Sequence, residues 1–237
     1  MKRFIAIAGN MGVGKSTLTR LLCEKLDWAP FYEAVEENPY LSDFYEDMRR
    51  WAFHSQVFFL FRRIEAHRQI MDHPGSAIQD RSIYEDAEIF AENLYRQGEI
   101  AERDHNTYAG LYRAVAEFLP PPDLIIYLRA SVPTLEARIS IRGREYERGV
   151  SLEYLERLNR LYDAWSESFK LSPVLAIPAD EMDFVKHQAH LEQIAAWLSH
   201  KALPEFFKTR PAARRGKRLL QVPAEQDELP GVRPPSG

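Results

Sequence analysis

A single cysteine, Cys23, stands among 237 residues, which excludes an internal disulfide framework and any metal site built from several thiolates. It lies in the apolar run of the first expected helix and reads as a buried structural thiol. No apolar run reaches the length of a membrane-crossing helix, so no membrane partner is expected. Neither sign of charge is in large excess. The net charge of −4 gives no bulk electrostatic reason to expect nucleic-acid binding. The seven histidines show no metal-ligand spacing, so zinc is not expected. A GTPase would need an N/T-K-x-D motif after a late strand; the late apolar run instead ends Ala176-Ile177-Pro178-Ala179-Asp180. A mechanical ATPase would carry a strongly apolar run before its metal-binding acid, and Ser76-Ala77-Ile78-Gln79-Asp80 is only partly apolar.

What is present begins at the ninth residue. Gly9-Asn10-Met11-Gly12-Val13-Gly14-Lys15-Ser16-Thr17 fits the phosphate-loop pattern G-x-x-x-x-G-K-[ST] at every fixed position. A short apolar run, Phe4–Ala8, precedes it, and an amphipathic stretch with Leu18, Leu21, Leu22 and Leu26 follows. Glycines let successive N–H groups turn toward a phosphate chain, and the following helix adds the positive end of its dipole. Lys15 is placed to reach the outer phosphates and Ser16 to ligate Mg²⁺. A nucleoside triphosphate is therefore the expected ligand.

Four or five short apolar runs read as strands: Phe4–Ala8, Pro30–Val35, Ala77–Gln79, Leu124–Leu128 and Val174–Ile177. Helical spacing is expected over Lys15–Leu26, Arg49–Met71, Tyr84–Arg96, His105–Phe118, Val132–Ile141, Leu152–Phe169 and Met182–Leu198. Strands alternating with helices predict an α/β fold with a central parallel sheet of about five strands, flanked by helices. The composition, 45% hydrophobic and 12% aromatic, is ample for a packed core. The first strand starts almost at once, and a cytoplasmic enzyme is expected. Residues 1–200 read as one domain. From Lys201 to Gly237 the character changes, with eight Lys/Arg, four Asp/Glu and six of the fifteen prolines. This basic, Pro-rich tail is expected to be disordered.

Arg138-Ile139-Ser140-Ile141-Arg142-Gly143-Arg144 sets three arginines around one glycine. Such a cluster can fold over a triphosphate and neutralise the charge of a transferred phosphoryl group. A solvated basic helix end is the alternative on these residues alone. At the end of the second strand, Glu33 would point into the crevice where α/β folds bind ligands, although Glu36 and Glu37 are equally acidic and close by. The aromatic-rich run Trp51–Phe61 reads as core, with a share in a helix–helix dimer face as the alternative.

Five separated segments carry a family resemblance: the phosphate loop, Phe31-Tyr32-Glu33-Ala34-Val35-Glu36-Glu37-Asn38-Pro39-Tyr40, Arg50-Trp51-Ala52-Phe53-His54-Ser55-Gln56, Asp80-Arg81-Ser82-Ile83-Tyr84-Glu85-Asp86, and the arginine cluster. In this order they resemble the deoxyribonucleoside kinases, in particular the bacterial deoxyadenosine and deoxyadenosine/deoxycytidine kinases, over residues 3–198. The resemblance implies the P-loop nucleoside/nucleotide kinase fold, with a lid around residues 138–147. It implies transfer of a phosphoryl group from ATP, with Mg²⁺, to a deoxyribonucleoside 5′-hydroxyl, deoxyadenosine first and deoxycytidine second. It also implies a homodimer.

The same resemblance gives residue roles. Glu33 matches the carboxylate that takes the hydroxyl proton. Arg81, Arg138, Arg142 and Arg144 match the cations around the transferred group. Asp80 matches the acid that supports Mg²⁺ beside Ser16; many members have Glu there, so contact through water is expected. Tyr45 and Glu147 match the pair that holds the sugar 3′-hydroxyl, and Glu147 reads equally as a salt-bridge partner of a lid arginine. Gln56, Arg63, Asp86 and Phe90 match the base-reading groups, with the Arg63/Asp86 pair typical of members that accept deoxycytidine and purines. Without the resemblance, Asp86 would read as a helix N-terminal acid and Arg63 as part of a wet face. A deoxyguanosine kinase would share nearly every motif. A thymidylate-type kinase would need a basic clamp where Glu33, Glu36 and Glu37 stand. A slow nucleotide-binding switch is the non-enzymatic rival.

Overall fold

The structure, a computed structural model, describes residues 2–199 apart from residues 34, 36 and 148 and the side chain of Tyr146. The expected basic tail, 201–237, lies outside the described residues. Five strands form one sheet in the order β2-β3-β1-β4-β5: β1 (Phe4–Gly9), β2 (Ala29–Phe31), β3 (Ala77–Asp80), β4 (Leu124–Arg129) and β5 (Val174–Pro178). Every ladder is parallel, as the alternation of strand and helix requires. β1 is central and buried along its whole length. Its alternate residues serve two cores: Ile5 and Ile7 pack on one face with Leu18, Leu22 and Leu135, and Ala6 and Ala8 on the other with Leu60, Ile83 and Tyr162.

Helix α1 (Lys15–Leu26) starts on Gly14 and stops on Asp27, which is left-handed at φ 56° and donates its N–H to Cys23 O. Cys23 is buried, and burial pushes its thiol up to about 11. The short α2 (Leu41–Glu46) was not expected from the sequence. Its six residues bury Leu41 and Phe44, too few for a periodic pattern to stand out. Helix α3 (Met48–Asp72) begins where the Asp47 side chain accepts from Arg50 N and ends before Pro74, whose ring disfavours helix in the residue ahead of it.

The expected helix Tyr84–Arg96 is present with an irregularity. α4 (Ile83–Glu85), a π-helical turn (Asp86–Ala91) and α5 (Glu92–Arg96) run on as one. α6 (Glu102–Ala116), α7 (Val132–Arg142) and α8 (Leu152–Ser168) follow. The last helix, α9 (Gln188–Ser199), starts six residues later than the expected Met182. There, Asp183 Oδ1 accepts from Val185 N and Lys186 N, so a side-chain turn competes with helix. β2 is also shorter than expected and stops at Phe31, level with Gln79 of β3. Glu33 therefore lies two residues beyond the strand, in the chain that crosses the carboxyl ends of the sheet. Among the described residues no helix is long and apolar enough to cross a membrane.

Candidate active site

The phosphate loop leaves the central strand, whose neighbours β3 and β4 come from opposite halves of the chain; ligands of open α/β sheets sit at such switch points. Gly9, Gly12 and Gly14 all have positive φ. At Gly12 a Cβ would meet Ile139 Cγ1 at 2.7 Å and Leu135 O at 3.0 Å, so α7 packs against the loop where only glycine fits. The Asn10 side chain anchors the loop to α8 through Leu155 O and Asn159 Oδ1, both at 2.9 Å. Lys15 is buried and donates to Asn10 O at 3.0 Å. Burial and then the nearby Arg81 charge lower its ammonium to about 8. A phosphate chain would add to the counter-charge that Asp80, Glu33 and Glu85 give this lysine. Val13 and Thr17 complete the loop and its entry into α1, with Val13 in the core.

A cavity of about 120 Å³ opens beside the loop. The structure brings to it Lys15, Ser16, Glu33, Tyr45, Gln56, Arg63, Arg81, Asp86, Phe90, Arg142, Arg144 and Glu147, residues picked out in the sequence from six separate stretches of chain. Glu33 sits between two buried guanidiniums: Arg63 Nη2 donates to Oε1 at 2.7 Å and Arg81 Nε to Oε2 at 3.2 Å. Burial alone would raise its carboxyl, but Arg81 and Arg63 outweigh it and hold it at about 2. Arg63 also pairs with Asp86 at 2.6 Å. Asp86 has a smaller share of positive charge, and burial pushes it up to about 7. Gln56 Oε1 is buried in the cavity wall with no hydrogen-bond partner, a cost of roughly 1–3 kcal/mol that a ligand donor would remove. Phe59 and Phe90 add aromatic faces, with the Arg81 guanidinium 4.4 Å over Phe90.

Asp80 ends β3 and accepts from Ser16 Oγ at 2.5 Å, while its other oxygen is buried without a partner. One hydroxyl and one carboxylate with a spare oxygen fit Mg²⁺, which takes few protein ligands and completes its shell with phosphate and water. Among the described residues no cluster of three or more His, Cys, Asp or Glu could form a closed metal cage.

The three arginines of the expected lid diverge. Arg142 is bidentate to Glu147 at 2.6 and 3.0 Å, and Arg144 lies 3.9 Å from the same carboxylate. Arg138 points elsewhere: its two terminal nitrogens donate to Val13 O at 2.8 Å and Ala179 O at 2.9 Å. It clamps α7 to the phosphate loop and to the end of β5, and it does not line the cavity. Of the neighbouring acids, Glu37 pairs with Arg62 at the surface, and Glu36 lies outside the described residues.

Two residues linked to Arg81, namely Tyr162 and Glu85, had no role assigned from the sequence. Arg81 has φ 67°, a left-handed conformation that costs a non-glycine residue roughly 1–3 kcal/mol. Its Nη1 donates to Tyr162 Oη at 3.0 Å, and Tyr162 Oη donates to Glu85 Oε2 at 2.8 Å. Glu85 is fully buried and also accepts from Gly9 N at 3.2 Å and Ser82 N at 2.9 Å. The spacing Ser82-x-x-Glu85 was the available signal, since it is a capping box. Its reach to the phosphate loop and to α8 was not visible locally.

The deoxynucleoside kinase family model matches residues 5–202. The chain is 38% identical over 192 residues to the deoxyadenosine/deoxycytidine kinase of Bacillus subtilis (strain 168), covering 80% of this chain and 88% of that protein. It is 36% identical over 201 residues to the deoxyguanosine kinase of the same organism, covering 81% and 94%. The fold superposes on deoxyadenosine kinase from M. mycoides with bound dATP at a TM-score of 0.73 and 32% identity, over 84% of this chain and all of that one.

Proposed function

The chain belongs to the deoxynucleoside kinase family, and we propose that it transfers the γ-phosphoryl group of ATP to the 5′-hydroxyl of deoxyadenosine, with deoxycytidine as second acceptor. The observation that carries this reading is Glu33: one carboxylate, held between Arg63 and Arg81, in the same cavity as Lys15 and Ser16 of the phosphate loop.

Glu33 keeps free lone pairs on both oxygens. One of them accepts the hydrogen bond of the 5′-hydroxyl and aims its oxygen along the line of attack. At about 2 Glu33 is a weak base. It therefore takes the proton late, when the new O–P bond has made the hydroxyl acidic. This suits a loose phosphoryl transition state, in which positioning and charge stabilisation matter more than early deprotonation. Lys15, Arg81, Arg142 and Arg144 neutralise the transferring phosphoryl oxygens. Arg138 acts on the same step by holding Val13 of the loop. Ser16, and Asp80 directly or through water, would hold Mg²⁺, which would supply positive charge against the phosphates. Glu147 and Tyr45 receive the sugar 3′-hydroxyl, with residues 138–147 as the lid above. Gln56, Arg63 and Asp86 read the base edge against the Phe90 face.

An amino group on the base, as in adenine and cytosine, meets two acceptors, Gln56 Oε1 and ionised Asp86. That favours deoxyadenosine and deoxycytidine over thymidine, whose 4-position carries only an acceptor. The acids near the acceptor also disfavour a nucleoside monophosphate. A homodimer acting in the cytoplasm completes the proposal, and light scattering checks the dimer.

An ATP/Mg²⁺ assay against deoxyadenosine, deoxyguanosine, deoxycytidine, thymidine and thymidine monophosphate tests the whole reading. Turnover of deoxyadenosine is expected to lead. Turnover of deoxyguanosine alone keeps the chemistry and overturns the base preference. Turnover of thymidine monophosphate alone overturns the role of Glu33. Steady hydrolysis of ATP with no phosphorylated acceptor supports a nucleotide switch instead.

A further inference from the structure

Glu85 does not line the cavity, yet it is the hub on which the wall rests. The carboxylate is fully buried. Gly9 N and Ser82 N donate to it at 3.2 and 2.9 Å, and Tyr162 Oη donates at 2.8 Å. Ser82 Oγ lies at 3.4 Å from the same oxygen as Ser82 N. Gly9 opens the phosphate loop, Ser82 follows Arg81, and Tyr162 comes from α8. Burial pushes the carboxyl up, and Arg81, the Ser82 N–H and Lys15 pull it back down.

The direction of the hydrogen bonds gives the chain its sense. Arg81 can only donate, so Tyr162 must accept from Nη1 at 3.0 Å and has one proton left to give. That proton goes to Glu85. The Arg81 backbone is in the left-handed region, where its own preference would not keep it. Its head is fixed by Tyr162 on one side, Glu33 on another and the Phe90 face 4.4 Å below. Tyr162 in turn stacks on Tyr127 of β4 with ring centroids 5.6 Å apart, so the phenol cannot follow a moving arginine. One carboxylate thus fixes, within two hydrogen bonds, both the first glycine of the phosphate loop and the guanidinium over the acceptor.

Resting on the kinase reading above, we propose that Glu85 is a positioning residue for phosphoryl transfer. Through Tyr162 it holds the Arg81 guanidinium in register with the phosphate loop, so that donor phosphates and acceptor hydroxyl meet in line.

The test is a mutant cycle read in steady-state kinetics on the full chain. Wild-type turnover in the same assay separates this proposal from the kinase reading: if the wild type phosphorylates no deoxynucleoside, it is that reading that has failed. Glu85→Gln replaces one acceptor oxygen by an NH₂ that cannot accept, so either Ser82 N or the pair Gly9 N and Tyr162 Oη loses its acceptor. It is expected to lower kcat roughly 10–100-fold, the scale of a misplacement of about 1 Å, with both KM values within roughly threefold. Tyr162→Phe removes only a hydroxyl and gives a folded comparison; a similar fall in kcat is expected. The double variant should be no slower than the slower single, since both act along one chain. In an Arg81→Lys background, adding Glu85→Gln should lower kcat much less than it does in the wild type, because the guanidinium it positions is already gone and only its hold on Gly9 remains to be lost. Equal losses of kcat in the wild-type and Arg81→Lys backgrounds would overturn the proposal. So would a Tyr162→Phe variant with wild-type kcat, or a Glu85→Gln variant that is less heat-stable but has unchanged kcat.

Discussion

Glu33 and Asp86 share the Arg63 guanidinium and differ in how much other positive charge they meet. Glu33 has Arg81 as well and is held at about 2; Asp86 is pushed by burial up to about 7. Two carboxylates moved apart in this way can serve two tasks at one pH. Glu33 is ionised throughout the working range, so the acid limb of kcat should not report its titration. Glu33→Gln keeps an oxygen to face Arg63 but loses the acceptor that takes the proton. We expect kcat to fall roughly 10²–10⁴-fold with the nucleoside KM little changed, checked by initial rates at saturating ATP. Near-normal turnover would rule Glu33 out as the proton acceptor. Asp86 makes a separate prediction. Burial pushes its carboxyl up to about 7, and on the proposed reading it is the ionised form that accepts from the adenine amino group. The KM for deoxyadenosine should therefore fall several-fold as pH rises from 6 to 8, and Asp86→Asn should flatten that profile. A wild-type KM that does not move over this range would remove Asp86 from base reading.

Among the elements, α7 does more than carry lid arginines. It packs on Gly12 through Leu135 and Ile139, and Arg138 joins it to Val13 O and Ala179 O. A planar fork bridges two carbonyls that a point-like ammonium cannot. Arg138→Ala should raise the KM for ATP by roughly tenfold, about 1.4 kcal/mol, and Arg138→Lys should recover little of it. A change confined to kcat would place Arg138 at the transferred phosphoryl group instead. That the guanidinium faces the loop's carbonyls could not be read from i,i+4 spacing, which sets the face of a helix but not its partner. The same limit explains what else was and was not legible. Long periodic segments such as Lys15–Leu26 were plain, because many residues repeat one signal. α2 is six residues long and carries too little of it. The late start of α9 depends on one aspartate side chain. The Asp86–Ala91 π-turn has no local mark in the sequence. That Glu33 and Lys15 meet at one cavity and Asp80 lies against Ser16 was readable because all three stand in motifs. The contacts of Glu85 were not, since its partners Gly9 and Tyr162 stand 76 and 77 residues away.

For the whole molecule, the question is where the folding unit ends. The family match runs to residue 202, and the basic tail begins at about the same point. α9 is the last described element, and it is structural. Ile194, Ala195 and Leu198 are buried in the same core as Leu18, Leu22 and Ile5. Arg3 donates to Leu198 O at 2.8 Å, tying the end of α9 to the start of β1. Ile194 and Leu198 are each worth about 1.5–3 kcal/mol of burial, and removing them also uncovers α1 beneath. Against a total of roughly 5–15 kcal/mol for a domain, a chain stopped at residue 187 should not hold its fold. A chain stopped at residue 202 loses none of these contacts. It also keeps every predicted residue around the cavity, from Met11 to Glu147. It should unfold within about 2 °C of the full chain, and its kcat/KM for deoxyadenosine should stay within twofold. Thermal melts and initial rates on the two truncations and the full chain check both statements. If the 202-residue chain melts as the full chain does but its kcat/KM drops tenfold, the tail takes part in substrate handling, and the kinase unit extends beyond the family match.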